Sequence, residues 1–432
     1  MEVIRNEGLT EYINAHVDSA WAERDFVKLV KSFLSQEYKK ILVIGGLKCT
    51  GKTTGVLQAL EGLDACYVIP KENEVESAEA YISLLESVSE KYIVIDNYCK
   101  IKDREALDAF LNNYVIQDKR IILLGRNLAT FEEKNEGSIY HKMEIVDIST
   151  MPYDEFCRVN RVSYSMDACE KYLKAGGVFD ISLIKTPNEI KSYIHTITEN
   201  LYPMYGEKSI CHEKAEFLVF KILYDAISQN NLSLHSELSS SYLSLEQFLE
   251  MMEVEQYGDF SQSELEAVMG SLEKCGLIVQ LSGYDSDLKR CYITIPSLMY
   301  NLLQMIYKHE VSDSSVLASV YSSSIAVLLS YCHLEEHEVY FVGSKHRNQY
   351  FVISDKDREF FYYFECSFAE NADSVECGIL DSDGDILAYY YVYCGSPCII
   401  NHKECEILCI PMGRMLSRYF ECNTNKRFID MI

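Results

Sequence analysis

The sequence predicts an α/β chain: a parallel sheet covered by helices, then a helical segment, then helices with a hairpin, then a strand-rich α+β region. Three observations predict it. Short β-branched runs such as KILVIGG, ACYVIP, KYIVIDN and KRIILLG alternate with helix-length stretches, the pattern of a parallel sheet buried on both faces. Three helical patterns followed by a paired apolar run, IVQLSGYDSDLKRCYITI, give the helix-helix-helix-hairpin order of a winged helix. Beyond it lie closely spaced strand patterns with few helical ones.

Taken in order, residues 1–37 read as one or two lead-in helices, with apolar residues recurring at three and four in TEYINAHVDSAWAERDFVKLVKSFL. Residues 38–150 carry the four strand patterns, with SAEAYISLLESVSE and DREALDAFLNNYVIQ as intervening helices. Residues 151–208 are helical, punctuated by Met151-Pro152 and Gly176-Gly177. Residues 209–311 form the winged-helix-like segment, with helices in EKAEFLVFKILYDAIS, SLEQFLEMME and SQSELEAVMGSLEKCG. Residues 312–432 hold HEVYFVG, QYFVISD, EFFYYFECSF, VECGILD, ILAYYYVY, PCIIN and EILCIP as strands.

Composition narrows the partners. In 432 residues, 40 Lys and Arg face 66 Asp and Glu, a formal charge of −26, and such a surface repels a phosphate backbone. The helix expected to read DNA, SQSELEAVMGSLEKCG, carries Glu264, Glu266 and Glu273 against Lys274, so a protein partner or self-association is expected in place of nucleic acid. The N-terminus has no basic and apolar leader pattern, and no uninterrupted apolar run reaches the roughly 18 residues of a membrane span, so a cytoplasmic protein without a membrane partner is expected. Sixteen cysteines are expected to be reduced and mostly buried. The cluster Cys394, Cys398, Cys405 and Cys409 around His402 has zinc as its alternative, although CEILC reads as strand where zinc prefers ligand pairs on turns.

The strongest motif is Gly46-Leu-Lys-Cys-Thr-Gly-Lys-Thr53, which meets GxxxxGK[ST] between a strand and a helix. Backbone N–H groups at that helix start face a phosphate, Lys52 reaches its outer oxygens, and Thr53 ligates Mg²⁺. Asp96, closing Tyr92-Ile-Val-Ile-Asp96 on a neighbouring strand, completes the metal site. The expected ATP contacts are thus Gly46, Lys48, Thr50, Gly51, Lys52, Thr53, Thr54 and Asp96, with Thr53 and Asp96 holding Mg²⁺. Asn97 follows Asp96 where a Glu commonly polarises the attacking water, and Asn accepts no proton as a carboxylate does. Binding is better supported than hydrolysis.

These residues resemble a known group, the bacterial and archaeal AAA-type P-loop ATPases with a C-terminal restriction-nuclease-like domain of unknown function. The P-loop and KYIVIDN match. KRIILLGRN falls where the family senses the γ-phosphate, placing Gly125, Arg126 and Asn127 there, with Arg126 as a cation near the γ-phosphate. ISTMPYDEFCR matches the family's proline signature through Met151, Pro152, Glu155 and Phe156; KYLKAGGVFDI matches its Gly-Gly segment through Tyr172, Leu173, Gly176 and Gly177. The resemblance implies a P-loop sheet domain, a helical lid, a winged-helix-like domain and a degenerate nuclease-like domain. It departs at Asn97, where the family has Glu, and in the nuclease-like part. There Tyr350 stands in place of an acid and Ser367 in place of a lysine, leaving Glu365, read as a solvated strand residue, and Asp355 as a displaced acid. One carboxylate does not hold a phosphodiester-cleaving metal. The expected function is an ATP-binding AAA-type protein acting as a nucleotide-dependent switch or interaction module, catalytic candidates being Asn97 and Arg126. The alternatives are a slow Mg²⁺-dependent ATPase and an acidic scaffold with a relic P-loop.

Overall fold

The computed structural model describes residues 1–18, 20–38, 40–70, 77–98, 101, 104–114, 119–125, 143–148, 150–179, 184–205, 210–230, 242–284, 286–308, 312–331, 337–345, 348–355, 360–372, 375, 385–402 and 405–417. The chain divides into two compact units, Met1–Thr150 with Lys274–Gly276, and Met151–Glu273 with Leu277–Ile432.

The first unit runs β1 (Glu2–Arg5), α1 (Asn6–His16), α2 (Phe26–Ser35), β2 (Ile41–Gly45), α3 (Lys52–Leu60), β3 (Ala65–Ile69), α4 (Ala78–Ser87), β4 (Tyr92–Ile95), α5 (Arg104–Tyr114), β5 (Arg120–Leu124) and β6 (Met143–Asp147). Its sheet has the order β1-β3-β4-β5-β2-β6 and is parallel throughout except for β1, which pairs antiparallel with β3. Because strand side chains alternate, the same strands supply two cores. Ile41, Val43, Val68, Ile93, Ile95 and Ile121 pack with α4 and α5 on one face. Leu42, Ile44, Tyr67, Val94, Ile122 and Leu124 pack with α1, α2 and α3 on the other. The mixed α/β class with a parallel sheet is therefore as the sequence predicts.

Two strands escape the sequence reading. Strand β1 buries only Ile4 of its four residues, so it has no periodic signature, and residues expected to be helical form a strand. Strand β6 is fully buried only at Met143, with Ile145 and Asp147 exposed, so it lacks both a periodic stripe and the continuous apolar run that marks its neighbours. Strand β4 also sits one place further from β2 than expected, with β5 between them.

The second unit opens with α6 (Tyr153–Val159), α7 (Met166–Ala175), α8 (Pro187–Tyr205), α9 (His212–Asn230), α10 (Leu245–Met251) and α11 (Gln262–Lys274), followed by the hairpin β7 (Ile278–Gly283) and β8 (Lys289–Ile293). Then come α12 (Pro296–Ile306), α13 (Asp313–Ser330), β9 (His337–Lys345), β10 (Asn348–Asp355), β11 (Phe360–Cys366), β12 (Asp385–Tyr393), β13 (Cys398–His402), β14 (Cys405–Pro411) and α14 (Met412–Leu416). The strands form one sheet, β13-β14-β12-β11-β10-β9-β7-β8, in which the hairpin joins the later strands through parallel pairing of β7 with β9. VECGILD lies outside the described residues except Val375.

Helix α13 was not foreseen in the segment read as strands. Its serines and β-branched residues favour other conformations locally, and burial nearly all round, from Val316 to Leu329, removes the amphipathic stripe. Ser312 caps it, accepting the amide of Ser315. By length and composition it could cross a membrane, but 67% of it is buried inside the chain, as befits a core helix. The punctuation at Met151-Pro152 and Gly176-Gly177 proves to be one feature. The Met151 amide donates to the Gly177 carbonyl (2.9 Å), and the Ser297 hydroxyl donates to that of Gly176 (2.7 Å). Gly177 has φ +95°, and a Cβ there would meet Pro296 Cδ at 2.9 Å.

Candidate functional site

Strand β2 is buried along its whole length, and the chain leaves it through Gly46 (φ +138°). A Cβ on Gly46 would lie 2.3 Å from the Ile148 carbonyl oxygen, so only glycine lets the loop pass. Cys49 (φ +65°) and Gly51 (φ +82°) are also left-handed, and the loop turns back to begin α3 at Lys52. This is the alternation of backbone conformations that turns successive N–H groups to one side.

Lys52 curls into the loop it closes. Its ammonium donates to the carbonyls of Gly46 (2.7 Å) and Leu47 (2.6 Å) and lies 3.3 Å from Thr50 Oγ1. Thr50 is buried and donates its hydroxyl to the Leu47 carbonyl at 2.9 Å. Lys48 and Thr54 are half-buried, on the loop and on the first turn of α3.

The two residues assigned to the metal are brought together. Thr53 Oγ1, on the first turn of α3, donates to Asp96 Oδ2 at 3.0 Å, although β2 and β4 are not adjacent, because α3 starts where β2, β5 and β4 all end. Tyr67, on β3, donates to the same carboxylate oxygen at 2.6 Å. Burial first, then the Asp96 charge, pushes the Tyr67 hydroxyl well above its ordinary range, so it remains a donor. Tyr12 lies 5.8 Å from Tyr67 between ring centroids, and is raised by burial and then by Asp96. The other Asp96 oxygen accepts the Asn97 amide at 2.7 Å. A hydroxyl and a carboxylate side by side are hard oxygen donors of the kind Mg²⁺ takes, so the residues present fit that ion.

Asn97 is left-handed (φ +47°) and half-buried. Asn enters this conformation more readily than Glu, because its short side chain tolerates the crowding, so the residue suits the turn after β4. Arg126, the other catalytic candidate, and Asn127 lie outside the described residues; Gly125 is buried at the end of β5, its amide donating to Ile44.

One contributor was missed by sequence reasoning. Arg24, just before α2, is only 6% exposed and donates to the Thr50 carbonyl at 2.6 Å, with its guanidinium 5.7 Å from the Phe26 ring centroid. It braces the Gly46–Thr53 loop from outside the motif. Its only sequence signal is a charged residue next to an apolar helix start.

The nuclease-like positions behave differently. Tyr350 and Glu365 are direct cross-strand partners on β10 and β11, but Glu365 is fully buried and accepts a hydrogen bond from Tyr389, which corrects the solvated reading. Ser367 is also buried. Asp355 stands at the end of β10, five positions from Tyr350, roughly 17 Å along the backbone at strand rise. Of the expected cysteine cluster, Cys409 is buried, Cys394 half-buried and Cys398 exposed, and Cys398 pairs with Cys409 across β13 and β14. On α11, Glu264 accepts from Lys214 at 2.7 Å and Glu273 from the Gln280 side chain at 2.9 Å.

No family model and no curated protein matches the chain. Among solved structures it is similar to a Walker-type ATPase of Pyrococcus abyssi, at 12% identity over 65% of this chain and 97% of that one, with a TM-score of 0.37. It is similar also to the Holliday junction branch migration motor RuvB of Thermotoga maritima (13% identity, 64% and 90%, TM-score 0.25). A third is the Aeropyrum pernix ORC1 protein in complex with DNA (10% identity, 66% and 91%, TM-score 0.27). Likenesses of this size assign no residue a role.

Proposed function

We propose that the chain binds ATP with Mg²⁺ on the loop Gly46–Thr53, and acts as an AAA-type, nucleotide-dependent switch or interaction module more than as a fast hydrolase. The observation that carries this reading is the Thr53–Asp96 contact of 3.0 Å beside a loop that only glycine can close at Gly46. In this reading the loop amides and the start of α3 hold the phosphates, and Lys52 exchanges its carbonyl acceptors for phosphate oxygens. Thr53 and Asp96 hold the ion, while Tyr67 fixes the carboxylate that faces it. Mg²⁺, when bound, supplies positive charge that neutralises phosphate oxygens. Asn97 offers no carboxylate to take a proton from water, so turnover is slow. The acidic composition supports a protein partner or self-association as the output.

Titration with a fluorescent ATP analogue in Mg²⁺ tests the reading. Saturable binding is expected, weakened by at least about a hundredfold in Lys52→Ala and by removal of Mg²⁺. Unchanged binding in Lys52→Ala overturns it.

A further inference from the structure

Away from the Gly46–Thr53 loop, the second unit carries two histidines and a glutamate whose ligand atoms lie close together. Helix α8 contains His195-Thr-Ile-Thr-Glu199 and helix α9 begins His212-Glu-Lys-Ala-Glu216. Each is a His and a Glu four apart, which puts both on one helix face. The two helices pack on each other and bring the pairs together. His195 Nδ1 is 3.3 Å from Glu216 Oε1, and the rings of His195 and His212 are 4.9 Å apart between centroids, inclined at 66°. One ligand atom from each of His195, His212 and Glu216 lies within 4.8 Å of the other two.

We propose that His195, His212 and Glu216 bind one divalent transition cation of the zinc class. Two imidazoles with one carboxylate form a donor set that suits Zn²⁺ and disfavours Mg²⁺ or Ca²⁺, which take oxygen. Bonds of about 2.0–2.1 Å in tetrahedral array put donor atoms about 3.3 Å apart, the separation found for His195 and Glu216. The fourth residue strengthens the assignment. Glu199 Oε1 lies 3.5 Å from Nε2, the ring nitrogen of His195 that faces away from Glu216. A carboxylate behind a metal-bound imidazole accepts its remaining N–H, fixes its tautomer and raises its basicity. Three protein ligands leave a fourth position for water or an outside ligand, and His195, with 46% of its side chain exposed, leaves the site open to solvent. The ion would clip α8 to α9. This inference does not depend on the nucleotide reading.

The test is a Co²⁺ titration of chelator-stripped protein in excess Mg²⁺, read by visible absorption and followed by displacement with Zn²⁺. The result expected is one Co²⁺ per chain with tetrahedral ligand-field bands and no thiolate charge-transfer band. His195→Ala and the near-isosteric Glu216→Gln are each expected to weaken binding by at least about a hundredfold, and Glu199→Gln by about tenfold. Far-UV circular dichroism checks that each variant is folded, and Glu216→Gln carries the test if His195→Ala is not. Three results would overturn the proposal: no saturable Co²⁺ or Zn²⁺ binding, undiminished binding in folded Glu216→Gln, or a charge-transfer band that vanishes when Cys394 and Cys398 become Ser.

Discussion

At the scale of single residues, the contact between Thr53 and Asp96 brings together two side chains that lie 43 positions apart in the sequence. Asp96 is held by three donors, from Thr53, Tyr67 and the Asn97 amide, so its carboxylate is oriented before any ion arrives. Tyr67→Phe removes one of these donors and leaves the ring, and is expected to weaken Mg²⁺-dependent nucleotide binding about tenfold with little change in Mg²⁺-free binding. Comparing the two titrations checks it. Asn97 is held by backbone shape. Asn97→Gly should be tolerated, whereas Asn97→Val should lower stability by roughly 1–2 kcal/mol, measured by urea unfolding, because a β-branched residue resists φ +47°. The motif residues were legible because their chemistry dictates their spacing. Tyr67 was not, since an aromatic in ACYVIP reads as core and its hydroxyl matters only once β3 lies beside β4.

Among elements, α2 does more than cover the sheet. It lies against α3, with Phe26 so close to Gly55 that a Cβ there would come within 2.3 Å of the ring, and Arg24 ahead of it holds the Thr50 carbonyl. Arg24→Ala is therefore expected to cost about 1.5–3 kcal/mol and to weaken nucleotide binding together with stability, visible as parallel losses in urea midpoint and ATP-analogue affinity. Loss of affinity without loss of stability would mean that the brace is not structural. Strands with continuous apolar runs were readable because burial on both faces writes itself into sequence. Strands β1 and β6 and helix α13 were not, because an edge strand and an all-round buried helix lack a periodic stripe. The Glu365 reading failed for a related reason: an acid on a strand pattern gives no sign that Tyr389 on β12 will cover it.

Over the whole molecule, burial of tyrosines and thiols shapes the response to alkali, since burial also pushes the Cys291 and Cys394 thiols up to about 12. Burial is the leading cause that pushes Tyr81 and Tyr390 up to about 12 and Tyr321 well above the ordinary tyrosine range. These groups keep their protons in the folded chain at pH values where the unfolded chain loses them. Their contribution is complete below about pH 10 and disappears as pH rises through the folded values, at about 1.4 kcal/mol per pH unit for each group. Urea midpoints should hold steady at neutral pH, begin to fall near pH 9 as the unfolded chain's thiols ionise, and fall more steeply above 10, with tyrosinate absorbance rising in the second step. The continuity of the second sheet reaches further. Strands β7 and β9 pair at Ser282–Tyr340 and Gly283–Phe341, and Arg290 lies 4.4 Å over the Phe341 ring. The Asn230 side-chain amide donates to the Cys291 carbonyl, while the Asn230 backbone carbonyl accepts from the Gln349 side chain. The hairpin and the later strands are therefore expected to unfold together, as one transition in urea. A fragment ending at residue 311 would bare the β7 edge as a template for self-association, so expression trials cut there should give aggregates where a cut after Thr150 does not.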